Sequence, residues 1–219
     1  EIISYQPLKD LPALESLDLS DTRKTDEDNR AYIDRIKAVA DIPSLKQLNI
    51  SYTHLRDAAF LSRAKKLQVL NVSLTDLTDF SPLFVLSGLQ CLLINDNVPD
   101  CFDFLHELDL RMLNMDHIAT LQDCDDIAHM KKMKQLSLEK CSDLSDISAL
   151  KNLEELEVLN ISHTSVTDLN AVSGLTELVN LNIQKLDLTD LSALSQLKKL
   201  MVLSMSAGRA KNLDALAAL

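Results

Sequence analysis

Carboxylates recur at one spacing along the chain and invite a chemical reading first. Asp57, Asp79, Asp168 and Asp190 each stand 12 residues after the leading Leu of an apolar triplet, and Asp146 stands 13 after Met133. Two such groups brought together could serve as general acid and base. One repeated position, however, spreads them along the chain instead of pairing them. Each also precedes a short apolar stretch such as Leu191-Ser-Ala-Leu194, and in four of the five a Ser or Thr stands immediately before the Asp. That pattern fits a carboxylate accepting backbone N–H bonds at the start of a helical turn, so these aspartates read as structural. His106, His117 and His129 fall near Cys101 and Cys124 without the close C-x-x-C or H-x-x-x-H spacing of a metal site. The three glycines, Gly88, Gly174 and Gly208, cannot build a phosphate cradle, and the chain holds no P-loop, nucleophile elbow, dinucleotide fingerprint or metalloprotease helix. The expectation is a protein that is not an enzyme and needs neither cofactor nor metal.

The elements that position these residues are set by a repeat. Apolar triplets spaced L-x-x-L-x-L begin at Leu14, Leu45, Leu67, Leu89, Leu105, Met133, Leu156, Leu178 and Leu200. Leading positions 45, 67 and 89 step by 22, as do 156, 178 and 200. The last two apolar residues of each triplet are two apart, which is strand alternation, so each repeat supplies one short strand. A return segment follows and the next strand starts in the same direction, so the strands run parallel. No repeat buries its apolar face alone.

The run Leu156-Glu-Val-Leu159-Asn-Ile161-Ser-His-Thr164-Ser-Val166-Thr-Asp168-Leu169 resembles the 22-residue class of leucine-rich repeats, which includes the internalins and certain phosphatase-regulatory subunits. The resemblance implies an α/β leucine-rich-repeat solenoid over residues 1–219, a right-handed open horseshoe of about nine repeats. Its parallel sheet would line the concave face, with short helices or turns on the convex face. Where that class often carries Asn, this chain has Thr22, Thr53, Thr75, Asn97, Leu113, Cys141, Thr164, Leu186 and Gly208. Thr and Cys are small enough for the slot, while Leu113 and Leu186 call for local adjustment.

The period breaks twice. Leu14 to Leu45 spans 31 residues, and Tyr32, Ile33, Ile36, Val39 and Ala40 recur at helical spacing after Asp26 and Glu27, which predicts a full α-helix in that return. Leu105 arrives early between Leu89 and Met133, making one repeat short and the next long. The short one carries Pro99, Phe102 and Phe104, read either as a contact loop or as Phe packing beneath a tightened turn, the second being favoured. At the ends, Ile3-Ser-Tyr-Gln-Pro-Leu8-Lys-Asp10-Leu11 matches the middle of a repeat and Leu213 to Leu219 stops inside a return segment. The expectation is a segment of a longer chain.

A net charge of −11 argues against nucleic acid and favours a neutral or basic protein partner. No apolar run is long enough for membrane insertion. Cys91, Cys101, Cys124 and Cys141 form no staple-like cluster, so thiols in a reducing, cytoplasmic setting are favoured over an extracellular or cell-surface one. Nine strands about 4.8 Å apart give a face of roughly 40 Å, enough for a protein interface. The residues beside the strand leucines are the candidate partner-binding set: Asn49, Ser51, Asn71, Ser73, Asp109, Arg111, Glu139, Asn160, Ser162, Asn182 and Gln184, with Ser137 and Ser204. Asn49-Ile-Ser51, Asn71-Val-Ser73 and Asn160-Ile-Ser162 also match the glycosylation acceptor pattern, read as a by-product of the repeat. The leading function is a protein-recognition module. The alternatives are a targeting or regulatory segment of a larger multidomain enzyme or surface protein, and a purely architectural spacer.

Overall fold

The computed structural model describes residues 4–22, 28–206, 210 and 212–218; Ile3, Asp26, Glu27, Gly208 and Leu219 lie outside them. Contacts divide the chain into two compact units, Glu1–Leu108 and Asp109–Leu219. In the first, β1 (Ser16–Asp18), β2 (Gln47–Asn49), β3 (Val69–Asn71) and β4 (Cys91–Leu93) pair in parallel in chain order, with Leu17, Leu48, Leu70 and Leu92 in register. In the second, β5 (Met112–Asn114), β6 (Gln135–Ser137), β7 (Val158–Asn160), β8 (Asn180–Ile183) and β9 (Val202–Met205) do the same through Leu113, Leu136, Leu159, Leu181 and Leu203. From Leu48 to Leu181 these central leucines are at most 1% exposed, and burying each contributes about 1.5–3 kcal/mol. No helix among the described residues is long and apolar enough to cross a membrane.

The return segments carry single 3₁₀ turns, such as Ala59–Arg63, Ser81–Val85 and Ser192–Gln196. The long first return instead holds α1 (Asn29–Ile36), the predicted helix cut short, since Val39 and Ala40 lie in the 3₁₀ turn Lys37–Asp41 that follows; Asp28 caps α1 by accepting from the Ala31 N–H at 2.8 Å. Phe104 is buried and stacks on Phe80 at 5.1 Å between centroids, so this ring packs beneath the turn, while Phe102 is half-buried.

The fifth triplet is not where the spacing placed it. β5 is built on Leu110, Leu113 and Met115, while Leu105 lies in the 3₁₀ turn Asp103–Glu107 and Leu108 caps that turn. Leu110 follows Leu89 by 21 residues and precedes Met133 by 23, so the short and long repeats are an artefact of register. Asp109 and Arg111 therefore precede the strand. The slot that often holds Asn is occupied in this repeat by buried Ile118, not Leu113.

That slot is polar wherever its residue can donate. The hydroxyls of Thr22, Thr53 and Thr164 each donate to the carbonyl three residues back, at 2.6–2.8 Å, and the Thr75 hydroxyl lies 2.9 Å from its equivalent carbonyl. The Cys141 thiol reaches the Met115 carbonyl at 3.1 Å, and burial pushes that thiol up to about 12. Leu186 fills its slot by volume alone, 6% exposed.

The aspartates serve the turns, as their spacing implies. Asp57, Asp79, Asp146, Asp168 and Asp190 each accept the backbone N–H two residues on, at 2.7–2.8 Å, and Asp123 is a sixth member at 3.0 Å. The backbone N–H and then the hydroxyl of Ser148 and Ser192 hold Asp146 and Asp190 below the ordinary carboxylate range; for Asp79 the Ser81 hydroxyl leads and its N–H follows. A carboxylate depressed on folding contributes stability that is complete above its unfolded value and disappears as pH falls through the folded one. Thermal midpoints should thus be level above about pH 5 and fall below about pH 4. A variant carrying Asn at positions 79, 146 and 190 should show a shallower acid limb; an unchanged limb would remove these caps from the account.

A second device ends β1 to β8. Asp21, Tyr52, Leu74, Asp96, His117, Lys140, His163 and Lys185, each seven residues after a leading apolar residue, all have φ between 52° and 63°. This left-handed conformation costs a non-glycine residue about 1–2 kcal/mol. The ladder holds it: the N–H of Tyr52, Leu74, His117 and Lys140 each donates to a carbonyl of the next repeat at 2.7–3.1 Å. Tyr52 is 59% exposed at φ 58°, so little packing is at stake there. Tyr52→Asn should raise stability by about 0.5–1 kcal/mol in urea unfolding, because Asn tolerates this conformation better.

Candidate functional site

Two side-chain rows face solvent from each strand, one at its first position and one at its third. Of the expected partner-binding residues, Asn49, Asn71, Asn160 and Asn182 lie in the third-position row, half-buried, together with Asn114, Ser137 and Ser204. Each of these Asn residues turns its oxygen back to close the strand end. Oδ1 of Asn49, Asn71, Asn160 and Asn182 accepts the N–H of Ser51, Ser73, Ser162 and Gln184 at 3.0–3.1 Å, and Oδ1 of Asn114 accepts from Asp116 at 2.9 Å.

Three serines of the expected set are not surface residues. Ser51, Ser73 and Ser162 are 3%, 3% and 1% exposed. Ser51 and Ser162 donate their hydroxyls to Oδ1 of Asn49 and Asn160 at 2.8 and 2.7 Å, and Ser73 donates to Asn95. The Asn-x-Ser triplets are thus turn-forming units, which supplies a structural reason for their recurrence.

Asp109 pairs with Lys132 at 2.9 Å on the rim, and the Arg111 carbonyl accepts from the N–H groups of Lys134 and Gln135. Neither lies in the two strand rows. Glu139 is half-buried just beyond β6 and accepts from Asn160 Nδ2 at 3.2 Å, while Gln184 is exposed just beyond β8.

The row that sequence reasoning missed is the first-position one: Gln47, Val69, Cys91, Met112, Gln135, Val158, Asn180 and Val202. The signal was available, since strand alternation places these on the same side as the third position. With Ser16 and the third-position residues they complete the solvent face. In the first unit Asp18 is the one charged residue among eight such positions, and in the second unit none of ten is charged, although charged residues make up 25% of the chain.

In the second unit these rows form an open groove of about 360 Å³ running from Met112 and Asn114 to Val202 and Ser204. A hollow of about 430 Å³ beside the return segments is lined by Asp146, Asp168 and Asn170. Its two aspartates each accept a turn N–H through Oδ1.

An internalin from Listeria monocytogenes superimposes with a TM-score of 0.79 at 21% identity, over 99% of this chain and 62% of that one. A leucine-rich-repeat protein of Leptospira interrogans gives 0.82 at 23% identity, over 99% and 56%. The chain has the leucine-rich-repeat fold. It spans about three fifths of the length of those two neighbours. The same fold recurs in the mouse RP105/MD-1 complex, with a TM-score of 0.62 at 19% identity over 86% of this chain and 34% of that one. No family model and no curated protein matches the sequence of this leucine-rich-repeat chain.

Proposed function

We propose that this leucine-rich-repeat chain is a protein-recognition module that seats a partner protein on the solvent face of its parallel sheet and performs no chemistry of its own. The observation that carries the reading is the charge-free face of the second unit, in a chain with net charge −11. Interface cores are depleted of charged residues relative to the rest of a surface, because each buried charge must be stripped of water. A solvated strand face under no such demand accepts Lys and Glu readily. The neighbour solved as the RP105/MD-1 complex supports a protein as the class of partner.

The test is affinity capture with the full chain beside a variant carrying Gln135→Arg, Val158→Arg and Asn180→Arg. These first-position residues close no turn, so the fold survives the change; matching circular dichroism checks this. A protein recovered by the chain and lost by the variant supports the sheet face. Equal recovery by both moves recognition to the rim or the return segments and overturns it.

A further inference from the structure

The polarity and spacing of the groove in the second unit specify its occupant further. Oδ1 of Asn114, Asn160 and Asn182 is spent on the strand-ending turn, so what these side chains offer outward is N–H. Nδ2 of Asn114 and Asn182 has no acceptor among the described residues, and Nδ2 of Asn160 gives one of its two protons to Glu139. The three Asn side chains of the third-position row therefore present donors without formal charge, while Ser137 between Asn114 and Asn160 gives its own proton to Asp116 at 2.6 Å. An occupant rich in acceptors and poor in donors complements these amides.

Spacing supplies the second constraint. Met112, Val158 and Val202 stand at the first positions of β5, β7 and β9, with the amides Gln135 and Asn180 between them. Alternate strands are about 9.6 Å apart, twice the ordinary strand spacing. A polyproline II segment advances about 9.3 Å per three-residue turn, whereas a β-strand repeats side-chain direction about every 6.8 Å. Apolar contacts on alternate strands match the first period and not the second. Polyproline II also leaves its carbonyls without internal hydrogen bonds, and proline has no N–H to offer.

We propose that the groove binds an uncharged, proline-rich segment of a partner protein in the polyproline II conformation, laid across β5–β9. Carbonyl oxygens of the segment accept from Nδ2 of Asn114, Asn160 and Asn182, and its rings rest on Met112, Val158 and Val202. This rests on the sheet face being the recognition surface. Five strands span about 19 Å, so two turns, roughly six residues, are engaged at once.

The experiment is fluorescence anisotropy of the full chain with labelled dodecaproline, beside a Gly-Ser dodecamer and an uncharged alternating Thr-Val dodecamer. Two variants accompany it. Asn182→Asp keeps the strand-ending turn, since Asp18 makes the same bond to the Ser20 N–H at 2.8 Å, but replaces donors with a carboxylate. Val158→Lys places charge on the apolar row. The expected result is saturable binding of dodecaproline at least tenfold tighter than either control, weakened at least tenfold by each variant. Absence of saturable dodecaproline binding overturns the occupant, as does equal binding of the Thr-Val peptide or binding that neither variant alters. The capture experiment is independent of this one: a partner captured through the sheet face while dodecaproline fails to bind rejects the polyproline segment and leaves the recognition surface standing.

Discussion

Asn97→Ala lowers the stability of the first unit by about 3 kcal/mol, among the largest effects expected of a single polar substitution in this chain. Asn97 is 2% exposed and all its capacity is used within the core. Its Nδ2 donates to the carbonyls of Val72 at 2.8 Å and Ile94 at 3.1 Å. Its Oδ1 accepts from the Thr75 N–H at 3.1 Å and lies 2.8 Å from the Thr75 hydroxyl. Alanine removes these bonds together and leaves buried groups that water reaches poorly, each costing about 1–3 kcal/mol. The Thr75 hydroxyl offsets part of this by settling on the Val72 carbonyl, already 2.9 Å away. Asn97→Thr should cost less than Ala, because Thr53 and Thr164 show that a hydroxyl in this slot reaches the carbonyl three residues back. Asn97→Asp should cost at least as much as Ala, since it sets a carboxylate against two carbonyl oxygens. Urea unfolding, with hydrogen exchange at Thr75, measures the series. Equal losses for Thr and Asp would mean that volume, not hydrogen bonding, governs the slot.

Much of this fold is legible in the residues because burial and period are the same fact read twice. The leucines stepping by 22 must share one side of a strand, and the aspartates before each apolar stretch must meet the N–H groups they do meet. The fifth strand was misread because two L-x-x-L-x-L triplets overlap at Leu110, and the true one ends in Met115. The deciding clue was Asn114, which aligns with Asn71 and Asn160 as the residue that closes the strand. The recognition surface was half legible. Its Asn row follows from alternation, but the serines two residues on look equally exposed in sequence. Only the left-handed turn after those strands, which no glycine announces, folds them inward. The first-position row was within reach of the same alternation, and with it the absence of charge that singles out this face.

Tyr32→Ala should destabilise the first unit by about 3–5 kcal/mol, the range for deleting a buried aromatic ring. The first repeat is nine residues longer than 22 and its return holds the helix that carries Tyr32, so this side chain anchors that return to the solenoid. It is fully buried, and its hydroxyl lies 3.2 Å from that of Thr22. The Arg35 guanidinium stands 5.1 Å from the Tyr32 ring centroid and 5.7 Å from that of Tyr5, and donates to the Thr22 carbonyl at 3.0 Å. Alanine thus opens a cavity and removes one of two aromatic faces from a buried cation, which has little water to fall back on. Tyr32→Phe keeps the ring and should cost only about 1 kcal/mol, the worth of one hydrogen bond. Alkaline titration tests the same contacts independently. Burial pushes the Tyr32 phenol above its ordinary value of 10.0, so its contribution is complete below that pH and is lost as pH rises through the raised value. Absorbance at the tyrosinate band should then show one of the three tyrosines ionising only as the first unit unfolds. That late step should vanish in Tyr32→Phe, and its persistence there would show that a different tyrosine is the buried one.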